Sequence, residues 1–194
     1  MFRFIKEHSY EIIKLFLTQI ALSIMGLILS FSTNSNPLLY LLSSLFTSVF
    51  FWCLLYTEGW ELGAKDRSRI LNGRMKYNPY KGTIYSLFAN IPNFLLIVIM
   101  LVSLALGSFV EFFGSAYAIS YFIERLICAA YMGINNYLAP STVINEVRYI
   151  ISDSVFQPLF YLVFVIPSVI SVTLGYILGA KDKKLLTVNK PNNN

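Results

Sequence analysis

The sequence has few charged residues, one histidine and two cysteines. Charged residues make up 13% of the 194 residues, about half the share that is usual in soluble domains. The single histidine, His8, and the distant cysteines Cys53 and Cys128 exclude a disulfide scaffold and most zinc sites. Because 56% of the residues are hydrophobic and the mean hydropathy is +0.62, a disordered chain is excluded as well. These features predict a small multi-pass membrane protein.

Charge-free stretches locate the predicted membrane spans. No Asp, Glu, Lys or Arg lies between Leu15 and Thr57, and a helix needs about 20 apolar residues to cross a bilayer. This stretch therefore holds two spans, separated by a polar turn that ends at Pro37, a residue type that commonly begins helices. Two later charge-free runs each hold one more span. The predicted spans are Ile12–Phe31, Pro37–Thr57, Ile84–Ser108 and Val155–Leu178.

The stretch Gly114–Leu138 is apolar enough for a fifth span, but Glu124 and Arg125 fall near its middle. A charged side chain at a helix centre costs about 2.5–3.5 kcal/mol on insertion scales. Adjacent helix residues do not face each other, so these two cannot pair well. We therefore predict an all-α, multi-pass membrane protein with four transmembrane helices, five being the alternative, and an interfacial helix between the third and the fourth.

Polar residues recur at helical spacing within this stretch and predict which face meets water. The expected wet stripe consists of Ser120, Glu124, Tyr131 and Asn135. The opposite, isoleucine-rich face is expected to cover the ends of the third and fourth spans.

Basic residues predict the orientation. Under four spans, all lysines and arginines except Arg125 and Arg148 lie on one face of the membrane. The positive-inside rule then places both termini and the central loop in the cytoplasm, in a protein of the plasma membrane. A fifth span would move the basic tail outside. The net charge of +5 follows from this asymmetry, so no nucleic-acid partner is expected, whereas the basic loop suits anionic lipid headgroups.

Two segments near the ends of the second and fourth spans are nearly identical. Residues 57–67 are TEGWELGAKDR and residues 173–183 are TLGYILGAKDK, so they share the pairs Lys65–Asp66 and Lys181–Asp182. Membrane helices often end with glycine, an aromatic and a basic residue, which explains the residue types better than the identical run Leu-Gly-Ala-Lys-Asp. We favour duplication of a helical hairpin within one membrane domain, 1–194. The copies are 1–67 and 83–183, the second with an interfacial insertion at 112–150.

Polar residues inside the predicted spans are candidate functional positions. Asn90, Pro92 and Asn93 interrupt the third span. Pro167 and Ser168 interrupt the fourth. Two broken helices in corresponding halves can mark a transport site, but Asn and Ser serve helix packing equally well. Packing is the simpler of the two interpretations.

Glu58 and Glu61 are three residues apart and share one helix face at the predicted inner boundary. They are either a cation or proton site, or a solvated helix end that pairs with Lys65. The second interpretation is favoured. Together with Glu124 and Arg125 they complete the candidate charged positions.

Motifs for catalysis, cofactors or metals are missing from the sequence. It contains no Walker-type phosphate loop, no Gly-x-Ser-x-Gly elbow and no His-Glu-x-x-His helix. We therefore expect a non-catalytic protein without a cofactor, acting in the bilayer through other membrane proteins or through copies of itself, as an accessory or regulatory subunit. The alternative is a small oligomeric permease or channel with a polar path between the third and fourth spans.

Overall fold

Helices make up nearly all of the described chain, as the long charge-free runs predict. The computed structural model describes residues 2–33, 35–107, 111–144, 147–150 and 154–182. A 3-10 turn, Ala129–Tyr131, joins α5 to α6, and strands β1 (Ser141–Ile144) and β2 (Val147–Ile150) form an antiparallel hairpin. The helices are α1 (Phe2–Thr33), α2 (Pro37–Leu71), α3 (Lys81–Ala89), α4 (Ile91–Leu106), α5 (Glu111–Ile127), α6 (Met132–Leu138) and α7 (Phe156–Ala180).

Among the described residues, three helices are long and apolar enough to cross a membrane: His8–Thr33, Pro37–Leu71 and Phe156–Ala180. The predicted third span is instead two helices, α3 and α4, bent by 53° at a break. The break falls at Asn90, as the sequence predicts. If the bent pair crosses as one unit it makes a fourth span, so the four-span topology stays a prediction.

Large apolar side chains cover the outside of the bundle on every long helix. Soluble monomers rarely expose so much contiguous apolar surface, whereas lipid tails solvate it without cost. This surface supports a membrane-embedded protein. Examples of the exposed residues are Ile28, Phe46, Leu95 and Val163.

Helix α2 begins as predicted and ends later than predicted. Pro37 occupies its first turn, and Asn36 Oδ1 caps the helix by accepting two backbone N–H groups at 3.0 and 3.3 Å. The helix does not end near Thr57 but continues to Leu71. The polar residues after Thr57 include many helix formers and no proline, so the apolar span ends there while the helix does not.

Helix α7 runs unbroken from Phe156 to Ala180 with Pro167 inside it. A proline removes one backbone donor, but membrane helices tolerate this where neighbouring helices support the turn. Helix α7 packs against α2, α3 and α4. The predicted interruption at Pro167 and Ser168 is therefore wrong.

The most extensive helix contact joins α2 to α7, and glycines make it possible. A methyl group at Gly59 would collide with the carbonyl oxygen of Val172, and one at Gly63 with that of Tyr176. The two backbones thus touch directly over one helical turn, as in membrane helix pairs with glycines four residues apart. Because the contacts advance together along both chains, α2 and α7 run in the same direction.

Helix α7 makes the same contact in return. Gly175 lies against the carbonyl oxygen of Tyr56, and Gly179 against that of Trp60. In the sequence repeat, Gly175 and Gly179 correspond to Gly59 and Gly63, and the carbonyl groups they meet correspond in the same way. The exchange resembles the contact between two subunits of a symmetric dimer. A parallel course is what the duplication requires, and the duplication itself stays a prediction.

The beginnings of α1 and α3 and the ends of α2 and α7 lie at one end of the bundle. The His8 ring lies 5.4 Å from the Tyr85 ring, and Arg67 Nη1 lies 2.6 Å from Asp182 Oδ1. We call this the basic end, and the end that carries the strands β1 and β2 the opposite end. The tail lysines after Asp182 lie outside the described residues.

Gly63→Ala and Gly179→Ala should each lower the free energy of unfolding by about 1–3 kcal/mol, the usual cost of overpacking. The added methyl group meets a backbone carbonyl that cannot rotate away. Gly114→Ala is the matched control, since no atom lies within 4 Å of a Cβ there. Unfolding in mixed micelles, followed by circular dichroism, measures the effect. Equal stability of the three variants would contradict the glycine contact.

Candidate functional site

The stretch predicted to lie on the membrane surface is folded into the bundle. Helix α5 packs along α4 and α1, the 3-10 turn contacts α1 and α2, and α6 packs back along α2. At the turn, Cys128 and Tyr131 share a small cavity with Ser168, the midpoint of α7. Gly26 of α1 lies directly against the backbone of the turn. The segment α5–turn–α6 is thus an inserted hairpin with its tip at mid-depth, and the interfacial helix is not confirmed.

Serines of α1 and α2 satisfy the backbone at the tip of the inserted hairpin. Ser44 and Ser48 donate to the carbonyl oxygen of Ala130 at 2.8 and 3.3 Å. Ser23 donates to the carbonyl oxygen of Ile127. A helix that ends away from water leaves its last carbonyl groups without partners, and these hydroxyls supply them.

The polar stripe of the inserted hairpin faces the protein interior, against the prediction. Ile119 is 61% exposed on the other face. A polar stripe turned toward lipid would find no hydrogen-bond partners, so the helices bury it and expose isoleucine. The expectation that Glu124 reaches water is therefore wrong. The stripe residues are 0–5% exposed: Ser120, Glu124, Tyr131 and Asn135.

Glu124 and Arg125 face different parts of the bundle. Glu124 is 0% exposed, its Oε1 accepts from Cys128 Sγ at 3.5 Å, and its Oε2 has no hydrogen-bond partner among the described residues. Arg125 is half-buried and lies near the hydroxyl of Tyr40, close to the start of α2. Adjacent helix positions point about 100° apart, which separates the two charges.

Three more buried polar residues lie near Glu124 and Cys128. We call these five residues the outer polar group: Glu124, Cys128, Asn135, Gln157 and Tyr161. Asn135 Nδ2 donates to Gln157 Oε1 at 2.9 Å and to the hydroxyl of Tyr161 at 3.3 Å. Tyr161 also lies within electrostatic range of Glu124. Asn135 Oδ1 and Gln157 Nε2 have no partner among the described residues.

The structure brings the predicted residues Asn90, Asn93 and Ser168 together around one cavity at the bundle centre. Asn90 Nδ2 donates to the Ser86 carbonyl at 2.8 Å, and Asn93 Nδ2 donates to Asn90 Oδ1 at 2.9 Å. The first bond satisfies a carbonyl group at the end of α3, and the second joins the two asparagine side chains across the break. Ser168 hydrogen-bonds to the hydroxyl of Tyr131.

The central cavity is small and not fully satisfied. The space open to the centre of a water molecule measures about 10 Å³, about what one water needs. Two of its lining atoms, Gln19 Nε2 and Asn93 Oδ1, have no partner among the described residues. Helix packing therefore accounts for the amide groups that donate hydrogen bonds, but not for Asn93 Oδ1, which has no partner among the described residues.

Asp66 of the repeat motif takes part in a buried ion pair at the basic end. Its Oδ2 lies 2.7 Å from Lys81 Nζ, and the two side chains are 5% and 7% exposed. The hydroxyl of Tyr176 donates to the same oxygen at 3.0 Å. This network ties the end of α2 to α3 and α7.

The second copy of the motif has no such network among the described residues. Asp182 is exposed and pairs with Arg67, while Lys65 and Lys181 are both exposed. The two Lys-Asp pairs therefore share sequence and position along their helices, but the two aspartates differ in burial and in partners.

Glu58 and Glu61 pair with a lysine, though with a different one from that predicted. Lys14 Nζ lies 2.7 Å from Glu58 Oε2 and 3.4 Å from Glu61 Oε2. The partner comes from α1 rather than from Lys65 because α1 and α2 pack side by side at the basic end. A lysine already balances these acids, so they are weaker candidates for a cation site than Glu124.

The comparisons with known proteins add no assignment. Within the described part of the chain, no group of three or more His, Cys, Asp and Glu side chains could hold a metal ion. No family model matches this chain, and no match was found among curated proteins or solved structures. A proposed function therefore depends on the chain's own geometry.

Lys81→Met should lower the free energy of unfolding by up to about 3–5 kcal/mol. It leaves the buried Asp66 carboxylate with only the exposed Arg69, whose Nη1 lies 3.6 Å from Oδ1, as a counter-charge. Arg67→Ala removes an exposed pair and should cost at most about 1 kcal/mol. The double variant Asp66→Asn, Lys81→Met should regain part of the loss, since no charge remains buried. Unfolding in mixed micelles tests this, and a Lys81→Met cost no larger than that of Arg67→Ala would refute it.

Proposed function

We propose that the protein is a small permease, closed in this structure, whose solute path lies between α7 and the bent pair α3–α4. A row of buried or half-buried polar side chains along the length of α7 carries this proposal. The row covers 19 residue steps, about 28 Å of helix, close to the roughly 30 Å hydrocarbon thickness of a bilayer. Its members on α7 are Gln157, Tyr161, Ser168, Thr173 and Tyr176.

The facing elements supply polar groups at matching levels. Asn135 and Glu124 of the inserted hairpin face the first part of α7, and Asn90 and Asn93 face its middle. Nearer the basic end, the hydroxyls of Thr83 and Thr173 lie 3.0 Å apart. Discontinuous helices and inserted hairpins that meet near the midplane are typical of transport proteins, where irregular backbone lines a cavity.

Unpartnered atoms support a path over a purely structural polar core. Polar groups kept for packing are nearly always hydrogen-bonded, and each one left unpaired costs about 1–3 kcal/mol. Besides Gln19 and Asn93, Ser86 Oγ on the facing helix α3 and Gln157 Nε2 in the row itself have no partner among the described residues. A water or a small polar solute that enters the row would satisfy these atoms.

The inserted hairpin changes where the proposed path lies. Four helices alone barely enclose a path, which is why the permease alternative drawn from the sequence is an oligomer. The hairpin adds two helical segments around the same polar interior, so one chain can enclose the row. We therefore place the proposed path within the chain, not between copies of it.

The second candidate is the non-catalytic accessory or regulatory subunit expected from the sequence. One observation favours it: a mostly apolar, open groove of about 530 Å³ runs between α4 and α5, lined by residues such as Val98, Val102 and Ile119. An apolar transmembrane helix of a partner protein would suit this groove. A path that never opens to water would favour this candidate.

Water-soluble thiol reagents test the path. In a Cys53→Ser variant, Cys128 is the only cysteine left, and it lines the central cavity. We expect a small membrane-impermeant methanethiosulfonate to modify it in sealed vesicles from at least one side. Asn93→Cys in a cysteine-free background should react as well, because an opening path wets both positions.

Leu55→Cys in the cysteine-free background is the matched control for this experiment. Leu55 is also completely buried, but it does not line the cavity, so it should not react in the folded protein. If Cys128 and Asn93→Cys both stay unmodified until the protein is unfolded, the permease proposal fails.

We also propose that the basic end faces the cytoplasm of a plasma-membrane protein, on the strength of its lysines and arginines. In the cysteine-free background, Arg74→Cys should be labelled only in inside-out vesicles and Ser35→Cys only in right-side-out vesicles. Both positions are exposed, at the two ends of α2. The reverse pattern would overturn the orientation, and labelling of both from one side would overturn the crossing by α2.

A further inference from the structure

The Glu124 carboxyl is buried with no basic side chain in contact among the described residues. Its Oε1 receives one weak hydrogen bond, from a thiol, and its Oε2 receives none. The adjacent cation, Arg125, makes no ion pair with Glu124: it lies near the Tyr40 hydroxyl, and its charge also acts on Tyr161. An isolated carboxylate in such a site costs far more than a neutral acid, so the geometry favours the neutral form.

The groups that face Glu124 do not supply a positive charge. The titratable side chains that interact with it are Cys128 from its own hairpin and Tyr161 from α7, and the Tyr121 ring packs against Tyr161. The neighbouring helix α4 contains no titratable residue, and neither does α1 from Leu15 onward. Tyrosine and cysteine side chains are either neutral or negatively charged, so they cannot balance the negative charge of a Glu124 carboxylate.

We propose that Glu124 is a proton-binding site, occupied by a proton in this closed structure. The proposal rests on the permease function proposed above, because a proton that binds on the path couples solute movement to the proton gradient. In the cycle, the carboxylate takes a proton from water when the site opens to one face. It returns that proton to water when the site opens to the other face. No covalent bond other than O–H forms or breaks, and no electrons are transferred.

A hydrophobic carbodiimide tests the protonation directly. The acid proton moves to a nitrogen of dicyclohexylcarbodiimide, the carboxyl oxygen bonds to its central carbon, and the adduct rearranges to a stable N-acylurea with nothing lost. Mass spectrometry of the purified full-length chain should find one added carbodiimide on Glu124 at neutral pH. The rate should fall about tenfold per pH unit once the carboxylate form predominates.

Two controls accompany this measurement. Glu124→Gln should abolish the adduct. Glu58, which is more accessible but ion-paired with Lys14 at 2.7 Å, should stay unmodified in the same sample. Infrared spectroscopy of the unlabelled protein provides a second readout, since a protonated carboxyl gives a C=O band that Glu124→Gln removes.

Each outcome decides the proposal. A pH-dependent adduct on Glu124, or an infrared band lost in Glu124→Gln, supports it. The absence of both overturns it. Protection of Glu124 by sodium ions at constant pH overturns it too, because a metal cation would then occupy the site. Since neither readout needs transport, a protonated Glu124 together with a path closed to thiol reagents would refute the permease and its proton coupling, while the proton-binding site itself would stand.

Discussion

The direct backbone contact between α2 and α7 is the constraint on which the rest of the structure depends. Four glycines, at 59, 63, 175 and 179, let two helices approach until each touches the other's carbonyl oxygens. In a membrane the hydrophobic effect does not drive helices together, so van der Waals contact at this distance supplies the association. The contact brings Tyr176 to Asp66 and Asp182 to Arg67, and it fixes the register of α7, which also packs against α3 and α4. The polar row exists because α7 is held in this register.

Away from water, each polar group must find its partner in the protein, and this rule shapes the inserted hairpin. Its tip enters because small residues leave room for it and because serines of α1 and α2 cap its carbonyl groups. Its polar stripe turns inward for the same reason. Burial of Glu124 and of the Asp66–Lys81 pair has different consequences, however. The pair is balanced and fixes three helices, whereas the lone carboxyl is not balanced and has an unpartnered oxygen.

The sequence predicts the apolar helices well and the hairpin poorly. Charge-free runs and Pro37 locate α1, α2 and α7, and Asn90 correctly predicts the break between α3 and α4. Prediction fails for Gly114–Leu138 because two arrangements avoid the cost of placing Glu124 in lipid. One is a helix on the membrane surface, and the other is a helix that buries this side chain against protein. Hydropathy cannot separate them. A better signal was the small-residue run after Ile127, which suits a turn inside a crowded bundle. Gln157 and Tyr161 carried no signal, since only the return of α6 gives them partners.

The asymmetry around the α2–α7 contact points to where the function lies. If a hairpin duplication produced the two halves, features present in both reflect helix pairing, and features in only one half reflect a later specialisation. The four glycines belong to the shared set. The break at Asn90 and the inserted hairpin with Glu124 belong to the second half alone, and they meet at the bundle centre. The two halves also differ at the basic end, because Asp66 is buried whereas its counterpart Asp182 is exposed. The glycine contact itself is made without the break and the inserted hairpin, so the meeting of these two additions beside the middle of α7 favours a path over a purely structural role.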